Sequence, residues 1–378
     1  MAAAYQTLPA RYYTDPEHFR RELESFYGQS WVCAGRADTI PNSGDYFVRE
    51  VAGESIIILR DAEAKVRAFY DVCRHRGTRL CGEPEGNFGR AIRCPYHAWT
   101  YALDGRLLGA PHMEADGFRR EDYPLHAVRS ALWDGHIFLH LGQDPQPLEA
   151  QLGDLPQKFA NWRMEELRLY RRIVYDQKAN WKLFIMNYSE CLHCPPVHPD
   201  LNRLTDYLGA DNDPPMPGYI GGAMGFRNDA ESMSFDGKKR RDFLPGLNET
   251  ERRKVCYYAI YPNLLLSLNP DYMMIHTLWP KAADRTEIVC EFYFHPAEMA
   301  KPDFQAVDAI EFWDKINRQD WRIVEMSHAG IQSRAYAPGP YSHRETLLHA
   351  FDQLVLARER AWNNARERAF LDDAGSNR

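Results

Sequence analysis

The chain has 378 residues, of which 44% are hydrophobic and 13% aromatic, so it is long enough to form two domains with sizeable cores. Its 46 Lys and Arg residues are outnumbered by 53 Asp and Glu residues, and the net charge of −7 argues against nucleic acid as a partner. No apolar run approaches the length of a membrane span, and the first nine residues have no basic region before an apolar core. We therefore expect a cytoplasmic protein that has no secretory signal and does not bind a membrane.

Short elements dominate the first part of the chain. An Asp-Pro pair is typical of a helix N-terminus and predicts a helix from Asp15 to Tyr27. Between Trp31 and about Leu141, short runs that alternate apolar and polar residues are separated by Gly and Asp turns, which predicts antiparallel strands. The clearest of these runs are 46–51, 55–60 and 135–140.

Two loops within this β region each offer one thiolate and one imidazole. They are Cys73-Arg-His75 and Cys94-Pro-Tyr-His97, and eighteen residues lie between His75 and Cys94. Two thiolates can hold one iron of a [2Fe–2S] cluster while two imidazoles hold the other, which is the ligation of a Rieske centre. A structural Cys2His2 zinc site uses the same ligand types. Zinc fingers favour a cysteine pair followed by a histidine pair, however, whereas each half is mixed here, so the pattern favours the Rieske cluster.

A second group of candidate metal ligands begins about ninety residues further on, over Glu190-Cys-Leu-His193-Cys-Pro-Pro-Val-His198. The segment that starts at Asn180 has no helix breaker before Pro195, which predicts a helix with Glu190 and His193 on one face. The two prolines are expected to end this helix and let His198 turn back to the same metal. Two histidines beside a carboxylate, with open coordination positions, are typical of non-heme Fe(II) oxygenases.

The two signatures together resemble Rieske non-heme iron oxygenase large (alpha) subunits, over nearly the whole chain. Asn187 to Pro199 is similar to the family motif Asn-x-x-Glu-x-x-His-Cys-x-x-x-His-Pro, and Glu190 in place of the commoner Asp resembles the glycine betaine, stachydrine and carnitine branch. The resemblance implies an α+β fold, with an antiparallel β Rieske domain and a helix-grip (START-like) catalytic domain. It also implies four [2Fe–2S] cluster ligands, which are Cys73, His75, Cys94 and His97.

The family resemblance implies a further carboxylate ligand for the mononuclear iron. Residues 312–325 contain no helix breaker, and their apolar residues recur at helical spacing. In similar oxygenases the ligand is the acid of a Gln-Asp or Glu-Asp pair on such a helix, which corresponds to Asp320. Asp314 and Glu325 are the alternatives on the same segment. The expected Fe(II) ligands are therefore His193, His198 and Asp320.

Glu190 then remains for another role. In the family, the carboxylate at this position bridges a cluster histidine of one subunit to a mononuclear-iron histidine of the next subunit, which orients both rings and couples the two centres. The resemblance assigns this role to Glu190, although a surface glutamate is the alternative, and it adds Asn187 of the same motif as a candidate catalytic residue. Head-to-tail pairing of subunits closes into a ring, and we expect a homotrimer.

The rest of the chain predicts a mixed domain. Gln143–Pro147 resembles a linker, and residues 206–250, rich in Pro, Gly and Asp, are too long for an ordinary loop and are expected to form a lid over the iron or a partly disordered insertion. Strands are predicted at 169–177, 255–268, 272–279 and 286–295, with helices at 303–328 and 345–371. The expected domains are an N-terminal helical segment (1–30), the Rieske domain (31–145) and the catalytic domain (146–378).

Six cysteines remain outside the cluster motif and show no framework spacing. We expect them to be reduced thiols of a cytosolic protein. They are Cys33, Cys81, Cys191, Cys194, Cys256 and Cys290.

The predicted function is that of a terminal oxygenase component that uses O2 to hydroxylate a small organic molecule. The chain has no dinucleotide loop and no plant-type ferredoxin cysteine run, so electrons from NAD(P)H are expected through a separate flavin/iron-sulfur reductase. The resemblance favours N-demethylation of a quaternary or tertiary amine such as a betaine; the alternatives are hydroxylation of an aromatic acid ring and a Rieske electron carrier without catalysis. Five aromatic residues are candidates for cation–π contacts with the amine, namely Tyr257, Tyr258, Tyr261, Phe292 and Tyr293.

Overall fold

The computed structural model describes residues 5–113 and 117–376, and these fold into two compact units. The smaller unit runs from Tyr27 to Leu148, and the larger unit combines the residues up to Phe26 with those from Glu149 onward. The first four residues, which belong to the segment on which the expectation about a secretory signal rests, lie outside the described residues. Within the described chain, no helix is both long enough and apolar enough to span a bilayer.

The N-terminal segment is helical, as predicted. The Asp15 side chain accepts hydrogen bonds from the backbone N–H groups of Glu17 and His18, and Pro16 occupies the first helical position, where a missing N–H is harmless. The elements are α1 (Arg11–Thr14), α2 (Pro16–Glu22) and one π-helical turn (Leu23–Tyr27).

The smaller unit is built from antiparallel strands, as the alternating pattern predicts. The strands are β1 (Val32–Arg36), β2 (Asp45–Val51), β3 (Glu54–Arg60), β4 (Val66–Tyr70), β5 (Glu85–Asn87), β6 (Ala91–Arg93), β7 (Thr100–Ala102), β8 (Leu107–Gly109), β9 (Ala127–Trp133) and β10 (His136–His140). Seven of them form a sheet in the order β1-β10-β9-β4-β3-β2-β5, and the other three form the sheet β6-β7-β8. The first cysteine loop follows β4 and the second connects β6 to β7, so both loops start from sheet ends.

The larger unit contains one antiparallel sheet and most of the helices. Its strands are β11 (Arg168–Gln177), β12 (Asp211–Asn212), β13 (Tyr219–Gly225), β14 (Lys254–Ile260), β15 (Leu264–Leu268), β16 (Met273–Ala282) and β17 (Arg285–Phe294), in the sheet order β11-β17-β16-β15-β14-β13-β12. The helices that follow the linker are α3 (Leu148–Leu152), α4 (Leu155–Lys158), α5 (Trp181–Tyr188), α6 (Cys194–Val197), α7 (Pro199–Leu204), α8 (Pro296–Met299), α9 (Val307–Ile331) and α10 (Thr346–Ser376). Strands and helices in these proportions confirm the predicted α+β class. Short 3-10 turns complete the two units, at Ala37–Thr39, Arg120–Asp122, Ala160–Trp162, Met164–Glu166 and Glu251–Arg253.

Two helices in contact with the sheet and with each other position the later site. Six consecutive residues of α5, 181–186, are buried, while α9 buries a stripe of residues spaced by three and four along its length. The rings of Phe184 on α5 and Trp321 on α9 lie 5.3 Å apart in an edge-on contact. Because α5 and α9 pack side by side, the C-terminal end of α5 comes close to the middle of α9.

Two predicted boundaries are wrong. The strand predicted over 255–268 is a hairpin, in which β14 and β15 pair across a turn at 261–263. The helix predicted to run to Pro195 ends at Tyr188, and the residues after it form a turn. Pro195 and Pro196 lie in the first turn of α6 instead of ending a helix, because proline is tolerated where the helical N–H groups have no partner.

The segment 206–250 is not a disordered insertion, since part of it belongs to the sheet. Strand β13 pairs with β14 along its whole length, and Gly221 allows this close approach because a Cβ there would lie 2.4 Å from the carbonyl oxygen of Tyr257. Further along, the fully buried Arg241 guanidinium bonds Asp271 at 2.8 Å and Asp308 at 2.6 Å. The segment is therefore held by backbone pairing at one end and by a buried ion cluster at the other.

Replacing Arg241 by Met should lower the free energy of unfolding of the larger unit by about 3–5 kcal/mol, because Asp271 would remain buried without its cation. Urea denaturation measures this loss. The matched control is Arg285→Met, which breaks an ion pair with Asp176 whose side chains are 58% and 56% exposed, and should have little effect on the free energy of unfolding. Equal losses in the two variants would contradict a stabilising role for the buried cluster.

Candidate metal centres

The two cysteine loops of the smaller unit have the same backbone shape. In each loop the residue four positions after the cysteine is left-handed, at φ 74° for Gly77 and 57° for Ala98, and donates its N–H to the cysteine carbonyl. Each cysteine N–H donates in turn to the carbonyl five positions further on, at 2.8 Å in both loops. Each of the two similarly shaped loops thus presents one cysteine and one histidine, beginning at Cys73 in the first loop and at Cys94 in the second.

The four side chains lie together at the tips of these loops. Both thiols are buried, and the rings of His75 and His97 lie 4.6 Å apart. Burial raises the pKa of Cys73, and the neighbouring Cys94 thiol acts in the same direction, so both thiolates need a positive partner. The Nδ1 atom of His75 is buried and has no hydrogen-bond partner within the described residues. Two buried thiols and an orphaned imidazole nitrogen fit a [2Fe–2S] cluster with mixed ligation.

Two aromatic residues support this group. The His75 ring stacks on Trp99 at 4.9 Å, with only 7° between their planes. The Tyr101 hydroxyl lies 3.3 Å from Sγ of Cys73 and accepts the backbone N–H of Arg74 at 3.0 Å. A hydrogen bond to a ligating sulfur is one of the levers that set the potential of an iron–sulfur cluster.

In the larger unit, His193, His198 and Asp320 bring their ligand atoms within 4.8 Å of one another. Oδ1 of Asp320 lies 2.8 Å from Nε2 of His198 and 3.2 Å from Nε2 of His193. The other ring nitrogens point away, since Nδ1 of His193 contacts Glu190 at 2.5 Å and Nδ1 of His198 contacts Gln319 at 2.8 Å. Glu190 and Gln319 offer oxygen acceptors, so each Nδ1 carries a proton, and each Nε2 faces the other ligands and can bind a metal once it is deprotonated.

The turn after α5 creates this convergence. Glu190 accepts the backbone N–H of Leu192 and so closes the turn that aims His193 inward. Asn187, on the last turn of α5, donates its amide to Oδ1 of Asp320 at 3.1 Å and lies 3.5 Å from Nε2 of His193. Glu190 and His193 therefore meet as predicted, although in a turn and not on a helix face.

The competing acids on α9 are occupied elsewhere. Asp314 accepts the Tyr175 hydroxyl at 2.7 Å, and Glu325 accepts the backbone N–H of Lys178 at 2.8 Å. Of the three candidates, Asp320 is the one that the structure places beside both histidines.

Protons and metal compete for this site. Although burial favours the neutral ring, hydrogen bonds to Asp320 and Glu190 raise the pKa of His193 to about 10. Burial also opposes the charged form of Asp320, yet the two histidines hold the pKa of Asp320 below its usual value. A divalent metal must displace the His193 proton, so metal binding should strengthen as the pH rises.

The prediction of six reduced thiols outside the cluster motif is wrong for one pair. Cys191 and Cys194 form a disulfide, with 5.0 Å between their Cα atoms, a usual separation for such a bond. The two residues flank His193 in the turn after α5, where three residues of turn bring their Cβ atoms together. The remaining cysteines of the set are free, namely Cys33, Cys81, Cys256 and Cys290.

A cavity of about 300 Å³ adjoins the histidine–carboxylate triad. Its aromatic lining includes Tyr188, Tyr257, Trp313 and Trp321. Of the five aromatic residues proposed from sequence, Tyr257 lines the cavity and the other four do not. Tyr258 follows Tyr257 on β14 and faces the opposite side of the sheet, where its hydroxyl donates to Asp213 at 2.5 Å.

Sequence reasoning missed several residues of the site. Gln319 could have been identified from the sequence, because it is the first member of the Gln-Asp pair that singles out Asp320. Trp313 could also have been identified, since it lies two helical turns before Asp320 on the same face of α9. No sequence pattern identifies Tyr188 as a cavity residue, because its place in the cavity depends on where α5 ends.

Comparison with known proteins supports both centres. Residues 30–129 match the Rieske [2Fe-2S] domain family, and residues 164–360 match the catalytic domain of the ring hydroxylating alpha subunit family. The second match alone spans more than half of the chain.

Similarity to individual proteins extends over most of the sequence. The glycine betaine monooxygenase oxygenase subunit of Pseudomonas aeruginosa is 30% identical over 364 residues, which cover 89% of this chain and 85% of the relative. The carnitine monooxygenase oxygenase subunit of Escherichia coli K12 is 32% identical over 340 residues, with 87% and 85% covered. A crystal structure of a quaternary ammonium Rieske monooxygenase with its substrate L-carnitine has a TM-score of 0.78 at 26% identity, over 94% of this chain and 96% of that one. The chain therefore belongs to the family of Rieske non-heme iron oxygenase alpha subunits.

Proposed function

We propose that this chain is a terminal oxygenase that N-demethylates a quaternary or tertiary amine, with a betaine as the leading substrate class. The observation that carries the proposal is the aromatic cavity beside the histidine–carboxylate triad. The relatives named above act on glycine betaine and on carnitine, which are methylated ammonium compounds, and this agrees with the chemistry of the cavity.

Aromatic rings in contact with one another form one wall of the cavity. The rings of Tyr188 and Tyr257 lie 6.0 Å apart, and those of Tyr257 and Trp313 lie 6.2 Å apart. Within the described residues, none of these rings has a Lys or Arg side chain over its face, in contrast to Tyr258 under Lys158. A quaternary ammonium group has no N–H to donate, and each aromatic face offers it about 0.5–2 kcal/mol of cation–π attraction.

The family's cofactors are a Rieske [2Fe–2S] cluster and a mononuclear non-heme iron. We propose Cys73, His75, Cys94 and His97 as the cluster ligands, and His193, His198 and Asp320 as the ligands of the mononuclear iron. When bound, the two centres together supply the reductive activation of O2 next to the substrate.

The residues of the chain determine what is oxidised. Glu190 and Gln319 orient the two ligating rings, and the aromatic walls exclude water and hold the ammonium group with one methyl toward the triad. Insertion of one oxygen atom into that C–H bond gives an N–CH2OH group. The other oxygen atom of O2 leaves as water, with two electrons from the reductase and two protons. The N–CH2OH group then loses its hydroxyl proton and its C–N bond breaks, so that the nitrogen keeps the electron pair and formaldehyde and the demethylated amine leave.

Electron supply and assembly are part of the proposal. We propose a separate NAD(P)H-dependent flavin/iron-sulfur reductase, a homotrimer, and a Glu190 carboxylate that also contacts a cluster histidine of the neighbouring subunit. In support, Glu190 already holds one imidazole, and its side chain is 15% exposed and so not sealed from a second donor. The domain boundaries at 30/31 and 145/146 and the cytoplasmic location remain predictions.

Formaldehyde should be released when the reconstituted enzyme meets NADH, O2, a surrogate reductase and a methylated ammonium substrate. The panel is glycine betaine, stachydrine and carnitine, with simple aromatic acids as the comparison class, because an aromatic cavity favours a cation over a benzoate-like anion. Formaldehyde and O2 consumption are measured together. Consumption of the aromatic acids alone, without formaldehyde, would replace this function by ring hydroxylation.

Subunits that lack different centres should complement each other. Cys73→Ser should lose the cluster, and Asp320→Ala should keep the cluster spectrum but lower iron from about three to about two atoms per chain. Neither variant should turn over alone, whereas co-expressed mixtures should regain part of the wild-type rate, because an intact cluster then adjoins an intact triad of the next subunit.

The matched control is Asp314→Asn, whose altered acid lies outside the triad and accepts the Tyr175 hydroxyl. It should turn over on its own, without a complementing subunit. Full iron and turnover in Asp320→Ala would disprove the ligand assignment. A monomeric enzyme, or mixed subunits without any regained activity, would disprove the intersubunit pairing.

A further inference from the structure

Arg344 is the one Lys or Arg that lines the cavity beside the triad, within the part of the chain that the structure describes. It lies in the short segment just before α10, and the residue is exposed. An exposed residue that also lines a cavity marks the place where the cavity meets solvent. The triad lies at the buried side, since His198 is only 1% exposed.

Among the described residues, the Arg344 guanidinium forms no ion pair within 4 Å. The pKa of Asp206 is lowered mainly by its hydrogen bond with Arg227 and to a smaller extent by the charge of Arg344. Asp206 and the neighbouring Glu345 already have closer partners. Glu345 accepts the backbone N–H of Ser342 at 2.6 Å, and Asp206 pairs with Arg227 at 2.6 Å. The guanidinium is therefore available to an anionic ligand in the cavity.

The other titratable side chains of the cavity either have hydrogen-bond partners already or are neutral. Glu190 and Asp320 are bonded to the ligating histidines. Burial lowers the pKa of His276 to about 4, so this cavity residue is neutral at physiological pH and adds no second cation. The Tyr257 hydroxyl is buried and has no hydrogen-bond partner within the described residues, so it can donate to an oxygen of a bound ligand.

We propose that the cavity is a zwitterion site in which Arg344 binds the carboxylate of the substrate. This proposal rests on the proposed N-demethylation and narrows its substrate to an ammonium compound that carries a carboxylate, as opposed to a plain cation such as choline. In this arrangement the methylated nitrogen packs against the aromatic wall that Tyr188, Tyr257 and Trp313 form, and the anionic end points to Arg344.

A contact between Arg344 and the carboxylate would also fix which end of the substrate faces the triad. Cation–π attraction places the ammonium group but does not select one of its substituents, since the rings act on the charge as a whole. Arginine presents a rigid fork of N–H donors that matches a carboxylate in two parallel hydrogen bonds. With the carboxylate fixed at the rim of the cavity, the N-methyl groups at the opposite end face the triad.

The test compares each carboxylate substrate with its neutral primary amide, which has nearly the same shape. The pairs are glycine betaine, γ-butyrobetaine and carnitine, each with its amide. The wild-type enzyme should favour the carboxylate by roughly ten- to a hundredfold in kcat/KM, mainly through KM. Arg344→Gln should lose most of that preference, with a much smaller change in kcat/KM on the amides than on the acids, and Arg344→Lys should recover part of it.

Arg285→Gln is the matched control, because it removes an exposed Arg outside the cavity and should behave as wild type on both members of each pair. Calorimetry of glycine betaine binding to the anaerobic holoenzyme gives a second readout, and its dissociation constant should rise by the same factor in Arg344→Gln. Equal wild-type rates on acid and amide, or an Arg344→Gln loss that is equal on both, would overturn the carboxylate site and leave N-demethylation standing. No formaldehyde from either member of any pair would instead disprove the proposed function.

Discussion

The orientation of two imidazole rings is the constraint on which the catalytic unit depends. A neutral histidine has one nitrogen that donates and one that accepts, and an oxygen acceptor at Nδ1 decides which is which. Glu190 supplies that acceptor for His193 at 2.5 Å, and Gln319 supplies it for His198 at 2.8 Å. Both Nε2 atoms consequently face Asp320, and the three ligand atoms form one site. The position of the ligands around a metal at this site therefore depends on the hydrogen bonds that the two histidines make through their Nδ1 atoms.

The fold serves this constraint by bringing distant segments together. Helix α9 supplies Gln319 and Asp320 as neighbours, so one acid ligates while the preceding amide orients a histidine from another segment. The turn after α5 supplies Glu190 and His193, and Tyr188 from the same helix end lines the cavity. The ligand set and the aromatic wall therefore share their supports, and a shift of α5 against α9 would disturb the metal site and the substrate pocket together.

The sequence predicted the strands of the smaller unit well, because short runs rich in β-branched and aromatic residues between Gly and Asp turns are typical of strands. The burial did not follow the alternation everywhere, since β10 is buried along its whole length. The sequence also singled out the residues that the structure brings together around Asp320, since ligand chemistry restricts residue type and spacing. The sequence did not predict the features that depend on tertiary contacts. The end of α5 at Tyr188 and the Cys191–Cys194 disulfide depend on the path of one turn. The choice of Tyr257 over Tyr258 for the cavity depends on the register of β14, which a run of apolar residues does not reveal.

The most direct measurement of this account is the affinity of the metal-free enzyme for Fe(II) in variants of the two acceptors. Glu190→Ala and Gln319→Ala should each weaken Fe(II) binding by about ten- to a hundredfold, because the ring they orient is released. Glu190→Gln and Gln319→Glu keep an oxygen acceptor at Nδ1 and should retain most of the affinity, with an unchanged cluster spectrum in all four proteins. Wild-type Fe(II) affinity in both alanine variants would contradict the claim that these hydrogen bonds build the site.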